Sequence, residues 1–219
     1  ASCRVSFLQA RTLTLISMVK SSRLPLASVR LSLSKRQLWN PNQYSFGVNT
    51  SSTPWTLRRA RTADIRAIAA LMEPLVDARV LLGKDLVVLY ESVQEFIVAV
   101  DDAGEILGCG ALHVFWEDLG EIRSLTVAPD KKNLGIGHSL IEELEREARQ
   151  LGLTRLFCLS FEVDFFQSHG FSVHDDETVD PAVYAELVRS PDEGVAEFLD
   201  LARVKPNTLG NSRLFKKLA

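Results

Sequence analysis

The chain predicts an α/β fold, a mixed β-sheet flanked by helices, and three observations carry that expectation. Strand-like and helix-like segments alternate between residues 57 and 205, which indicates helices layered on a sheet. Two strand-like segments flank the turn Asp101-Asp102-Ala103-Gly104, a hairpin connection, so the sheet is not purely parallel. One long segment after Gly137 is amphipathic, with Ile141, Leu144, Ala148 and Leu151 on one face and Glu142, Glu143, Glu145, Arg146 and Arg149 on the others.

The elements follow in order. "TLRRAR" is a first strand. "TADIRAIAALMEPLV" opens with Thr62 as an N-cap and repeats Ile65, Ile68, Leu71 and Leu75 at helical spacing. "KDLVVLYESV" is a short second helix. "EFIVAV", "EILGCGALHVF" and "EIRSLTVA" are strands, the last ended by Pro129-Asp130. The long helix comes next, then "TRLFCLS" as a buried strand. "EVDFFQSHG" is a short helix stopped by Gly170, with His169 at its end. "FSVHD" is a strand, and "DPAVYAELVRS" is a helix with Pro181 near its first position. "VAEFLDLARV" is expected to close the fold as a strand and to offer a subunit contact.

Charge is distributed unevenly. The chain of 219 residues has a formal net charge of −3, yet residues 1–63 hold ten Lys/Arg and no Asp or Glu. The remainder carries 15 basic and 28 acidic side chains, a net of −13. An acidic body is a poor match for phosphodiester backbones, so nucleic acid is not an expected partner. The longest apolar runs fall short of the ~20 residues that span a bilayer, so no membrane association is expected. Cys3, Cys109 and Cys158 form no CxxC pair and no Cys/His cluster, which suits reduced thiols in a cytoplasmic protein and suggests no metal. Residues 1–56, basic, acid-free and rich in Ser, Pro and Asn toward their end, read as an extension that does not fold, with an organelle-targeting segment as the alternative. The folded domain is expected over 57–219.

Gly135 and Gly137 stand where the long helix must begin. The first turn of a helix leaves N–H groups unpaired, with a partial positive charge from the macrodipole. Glycine there lets backbone approach phosphate oxygens without an intervening Cβ. A P-loop is excluded because no Lys follows Gly137, and the GxGxxG fingerprint because Leu140 stands where its third glycine belongs. A plain strand–turn–helix connection that uses glycine remains the other reading.

"VAPDKKNLGIGHSLI" resembles the coenzyme A signature of the GCN5-related N-acetyltransferase superfamily, with Lys132-Asn133-Leu134-Gly135-Ile136-Gly137 as its core and Lys132 in place of the more usual Gln or Arg. "DFFQSHGF" resembles the second marker, an aromatic pair before Gly-Phe. The resemblance covers about 57–205. It implies the acyl-CoA N-acyltransferase fold, a splayed central sheet, with acetyl-CoA as co-substrate. The pantetheine arm would pair with backbone at Leu125, Thr126 and Val127. The diphosphate would sit on the N–H groups of Lys132, Asn133, Leu134, Gly135, Ile136, Gly137, His138 and Ser139.

An ammonium cannot attack a thioester, so a general base is needed. Glu121, which opens the strand leading to the glycine loop, is the candidate. It shares a strand face with Arg123, so a base and a carboxylate-binding cation can enter one cleft; a cross-strand ion pair fits the same spacing. "LGCGALHVFWEDLGEIRSLTVAPD" and "FLDLARVKPNTLGNSRLFKKL" are similar to the short, actinobacterial type of amino-acid N-acetyltransferase, the N-acetylglutamate synthases of arginine biosynthesis. That resemblance implies Glu121 as base and Lys84, Arg123 and Arg213 around a small amino-acid substrate, L-glutamate or L-glutamine, with Asn207 and Asn211 orienting it. Bidentate guanidinium–carboxylate pairing is the reason to expect arginine. The superfamily's thiolate-protonating tyrosine is here Phe166, so Ser160 or water takes that role. Cys109 reads as a core residue, and His113 as either a core or a cleft residue. A homodimer is expected. Two rival readings are another amine acceptor (a protein N-terminus, lysine or polyamine) and a non-catalytic acetyl-CoA-binding module.

Overall fold

Strands whose side chains are apolar on both faces need cover on both sides, and that requirement organises this chain. The computed structural model describes residues 54–174, 179–199 and 210–218. In chain order the elements are β1 (Thr56–Arg59), α1 (Ile65–Asp77), α2 (Leu86–Glu91), β2 (Phe96–Val100), β3 (Ile106–Val114), β4 (Leu119–Val127), α3 (Ile136–Leu151), β5 (Arg155–Ser160), α4 (Val163–Ser168), β6 (Ser172–Val173), α5 (Pro181–Leu187), α6 (Glu193–Phe198) and β7 (Ser212–Lys217).

The strands form one seven-stranded sheet in the order β1-β2-β3-β4-β5-β7-β6. Its pairings are antiparallel except β4 with β5, which are parallel. The expected mixed α/β sheet is therefore present. Trp55, two residues before Leu57, is already buried in the core.

Alternation along the strands sorts the core. On one face α3 lays Ile136, Leu140, Ile141, Leu144 and Ala148 over Ile97, Ala99, Leu112, Ile122, Leu156, Cys158 and Leu214. The opposite face is covered in two patches. Near β2 and β3, Ile65, Ile68, Met72 and Leu89 pack on Phe96, Val98, Val100, Cys109 and Ala111. Near β5 and β7, Leu187, Val195 and Phe198 pack on Phe115, Leu119, Phe157 and Phe215. Between the patches runs β4, which points Ile122 into the α3 side. By strand alternation Glu121 and Arg123 face the seam between the two patches.

Several expectations are corrected. "VAEFLDLARV" does not begin as a strand: 195–198 belong to α6, and residues 200–204 lie outside the described residues. Val195 and Phe198 are buried within the chain, so they do not form a subunit-contact strand. The strand that completes the sheet is β7, in a tail to which the sequence reading assigns no element. Leu151 is 61% exposed rather than on the core face, while Glu145 and Glu147 are buried. These two acids are paired, Glu145 with Lys216 and Glu147 with Arg59; a buried carboxylate is tolerated only with such a partner. The readings of residues 1–53 lie outside the described residues.

Candidate active site

Strands β4 and β5 pair only from Leu119–Glu121 to Arg155–Phe157. Among the described residues no further rung joins them, although β4 runs on to Val127 and β5 to Ser160. The sheet is thus splayed, and main chain at Leu125, Thr126 and Val127 borders the gap. A bulge contributes: the β3–β4 register shifts between Cys109 and Ala111, and Ser124 stands at φ +56°. Bulges of this kind re-aim a strand where pairing ends. Cys109 is buried, and desolvation pushes its thiol to about 12, so it is a core thiol.

Beyond Val127 the chain makes a short 3₁₀ turn at Pro129–Lys131 and then enters α3. Asn133 at φ +64° and Gly135 at φ +88° bend it so that the helix axis starts at Ile136. A side chain at Gly135 would sit in the left-handed region at a cost of roughly 1–2 kcal/mol. The two glycines do different work. Gly135 supplies the turn, whereas a Cβ on Gly137 would lie 3.3 Å from Cζ of Phe165, so Gly137 lets α4 pack against the helix start. No side chain caps α3 and no acid stands in its first turn, leaving its leading amides without intrahelical partners. Lys132, Asn133 and Leu134 are exposed beside them, and Ser139 N–H makes the first helical bond, to the Gly135 carbonyl. His138 Nδ1 lies 2.7 Å from His169 Nε2 at this rim. An open, uncapped, acid-free helix start beside a splayed sheet fits a diphosphate followed by an extended arm.

Glu121 sits on the last rung before the gap. It is 4% exposed, and its Oε2 is the one buried side-chain polar atom among the described residues with no hydrogen-bond partner. Burial pushes its carboxyl above the ordinary range, against the pull of Arg123 and His113. Arg123 Nη1 lies 3.6 Å from Glu121 Oε2 and 3.0 Å from Asp192 Oδ2, while its Nη2 lies 2.8 Å from Glu95 Oε2. The other Glu95 oxygen is 2.8 Å from His113 Nδ1. Lys84 Nζ reaches Asp192 Oδ2 at 3.7 Å. Asp192 also caps α6, accepting from the N–H groups of Gly194 and Val195. Gly194 then lies directly on Glu121: a Cβ there would be 3.2 Å from Oε2.

The electrostatics follow from this crowding. Burial raises the Asp192 carboxyl, but Arg123 and Lys84 overcome it and bring it down to about 2. Burial likewise raises Glu95, and the hydrogen bond from His113 with the Arg123 charge leaves it below its usual value. Glu95 and Asp192 are therefore ionised at neutral pH, and of these three carboxyls Glu121 alone is shifted upward.

The structure thus gathers Glu121, Arg123 and Lys84. Arg213 lies on β7 opposite Leu159, its guanidinium 5.6 Å from the Phe198 ring centroid, on the face that carries Phe157 and Phe215. Asn211 donates to Glu197 Oε1 at 2.8 Å, tying β7's entry to α6. Asn207 lies outside the described residues. Ser160 ends β5, its Oγ accepting from Glu162 N–H at 3.0 Å. Phe166 is a core residue, edge-on to Phe165 and Phe171.

Glu95, Asp192 and Gly194 escaped the sequence reading. Asp192 was legible: Pro191-Asp192-Glu193 is a helix start, an N-cap followed by an acid in the first turn. Glu95 carries no local signal, because its partners are 18 and 28 residues away.

Comparison with known proteins gives a consistent result. The model of the Acetyltransferase (GNAT) family matches residues 69–171. Over 160 residues the chain is 52% identical to the amino-acid acetyltransferase of Mycobacterium tuberculosis, spanning 72% of this chain and 91% of that one. It is 36% identical over 124 residues to the amino-acid acetyltransferase of Neisseria meningitidis, covering 56% of this chain but only 28% of that longer protein. Among solved structures, Mycobacterium tuberculosis Rv2747, in complex with CoA and NLQ, superposes with a TM-score of 0.72 at 51% identity, covering 75% of this chain and 99% of that one. The N-acetylglutamate synthase of Neisseria gonorrhoeae, complexed with coenzyme A and N-acetyl-glutamate, gives 0.60 at 28% identity, covering 75% and 35%. With its splayed mixed sheet and glycine-turned helix start, this chain belongs to the acetyltransferase (GNAT) family.

Proposed function

We propose that the protein is an amino-acid N-acetyltransferase that moves the acetyl group of acetyl-CoA to the α-amine of L-glutamate or L-glutamine. The observation that carries this reading is Glu121: a buried carboxylate with one unpartnered oxygen and a raised pKa, at the point where β4 and β5 part. A carboxylate whose pKa is raised holds a proton more firmly than an ordinary glutamate, so it can accept the ammonium proton and free the nucleophilic lone pair. The names and bound molecules of the relatives support the same substrate class, and N-acetylglutamate synthesis is the opening step of arginine biosynthesis.

Acetyl-CoA brings an activated thioester. The chain's part is to hold and orient. The amides from Lys132 to Ser139 receive the diphosphate, and main chain at Leu125–Val127 aligns the arm within the gap. Arg123, Lys84 and Arg213 receive the substrate carboxylate or carboxylates, with Asn211 and Asn207 orienting the amino acid. Glu121 takes one proton from the ammonium, and the amine attacks directly, with no acetyl-enzyme. Attack leaves the amine nitrogen with a surplus proton, which departs as the C–S bond breaks and, passed through Ser160 or water, ends on the departing thiolate. Positioning two reactants in this way accounts for several kcal/mol of barrier, about 7–11 in favourable intramolecular cases.

A coupled thiol-release assay with acetyl-CoA across the twenty amino acids tests the reading. Turnover concentrated on glutamate or glutamine is expected, and turnover with neither rejects it.

A further inference from the structure

Glu121 has a difficulty as a base that works many times over. Its carboxyl is 4% exposed and lies beneath Gly194. While the substrate fills the cleft, a proton it accepts has no direct route to bulk water, and a second path lets the base unload without waiting for product to leave. The neighbouring strand offers a route. His113 is the antiparallel partner of Glu121 in the β3–β4 ladder. Directly opposed residues point to the same face with Cβ atoms roughly 4.5–5.5 Å apart. The His113 side chain is 23% exposed, against 6% for that of Glu121, so it spans buried base and solvent.

Its ring is also oriented. Glu95 Oε1 lies 2.8 Å from Nδ1, and a carboxylate only accepts, so Nδ1 carries the hydrogen. Nε2 is then the free basic position of the neutral ring. Glu95 is fixed in turn by Arg123, which bonds its other oxygen at 2.8 Å. The arrangement is a carboxylate-oriented imidazole beside a second, buried carboxylate.

We propose that His113, oriented by Glu95, is the proton relay that unloads Glu121 to solvent. This rests on the reading of Glu121 as base. The steps balance. An N–H bond of the substrate ammonium breaks as an O–H bond forms on Glu121. That O–H breaks as Nε2–H forms on His113, giving an imidazolium whose Nδ1–H stays on Glu95. Nε2–H then passes to water, and Glu121 is again a carboxylate. The charges facing His113 are Glu95 from the turn before β2, Glu121 and Arg123 from β4, and, at longer range, Asp192 at the head of α6. Glu95 is the positioning residue, and it sets the tautomer.

The test uses the full chain with acetyl-CoA and the best amino-acid acceptor. His113→Gln should lower kcat/KM roughly 10- to 100-fold at neutral pH and alter its pH profile, with acetyl-CoA affinity within about twofold of the parent. His113→Ala should be similarly slow and regain rate on addition of free imidazole; that gain is read within one variant, so it is independent of any folding defect. Glu95→Gln should shift the pH profile in the same direction. A His113→Gln profile that superimposes on the parent's, or a His113→Ala rate unmoved by imidazole, overturns the relay while leaving Glu121 in place. Full turnover in Glu121→Gln overturns the relay and the base together.

Discussion

Arg123 Nη1 stands 3.0 Å from Asp192 Oδ2, so the guanidinium to which the proposed function assigns a substrate carboxylate is already occupied by a carboxylate of the chain itself. Lys84 leans on the same oxygen at 3.7 Å. On the proposed function, an amino acid entering the seam meets cations that are paired, and its own carboxylate has to displace Asp192 or share with it. That competition frames the first two predictions.

Asp192→Asn keeps an oxygen to cap α6, because asparagine caps as well as aspartate, but removes the charge. The KM for the amino-acid acceptor should fall several-fold while acetyl-CoA affinity is unchanged. Asp192→Ala should also lose the cap, about 1 kcal/mol of stability. Steady-state kinetics on the asparagine variant decide the matter: an unchanged or higher KM shows that Asp192 assists binding rather than competing.

Acidification should weaken the Asp192 clasp in a defined window. Its folded pKa, about 2, is below the ordinary 3.8. A carboxyl depressed in this way contributes stability that is present above pH ~4 and disappears as pH falls toward 2. The thermal midpoint of the parent minus that of Asp192→Asn, followed from pH 5 to pH 2, should shrink across that interval.

Glu121 should show the opposite sign. Its pKa is raised by burial, so holding it ionised costs the folded state. That cost is absent below pH ~4.5 and grows as pH rises through the folded pKa. Glu121→Gln should therefore lose roughly 10²–10⁴-fold in rate yet melt no lower than the parent at pH 7.5. Any stabilisation should vanish below pH 4.5. Calorimetry paired with the thiol-release assay reads both effects.

The glycine turn makes a prediction about the co-substrate. Gly135→Asp places both a left-handed strain and a carboxylate at the start of α3, where Gly135 stands at φ +88° with open space around it. Acetyl-CoA affinity should drop by at least tenfold, measured by titration calorimetry, with circular dichroism unchanged. Gly137→Ala should act differently, disturbing Phe165 at 3.3 Å and costing stability before affinity. Undiminished acetyl-CoA binding by a folded Gly135→Asp, Gly137→Asp double variant would remove the cradle.

Most of the fold was legible because it rests on periodicity. The face of α3, the hairpin between β2 and β3, and β5 follow from where apolar residues recur, and such patterns act over a few residues. The misread part was the C-terminal end, from Val195 onward. "VAEFLDLARV" is apolar enough for either a strand or a helix, and short apolar runs do not distinguish them. Asp192 at its N-cap decides for helix at the start, and its carboxylate is fixed in turn by Arg123, 69 residues away. β7 escaped because its partners, β5 and β6, are far away in sequence, and Ser212–Lys217 alone carries too little alternation to declare itself.

The sequence alone determined that this chain presents bare amides at a glycine-turned helix start and a glutamate one strand away, because both are written in contiguous residues. Only the tertiary structure decided what surrounds that glutamate: Gly194 above it, His113 across from it, and Arg123 bonded to Glu95 and Asp192. The reason is physical. Backbone conformation is set by near neighbours, whereas burial, pairing and the resulting pKa are set by whichever distant segments the packed core brings within a few ångströms.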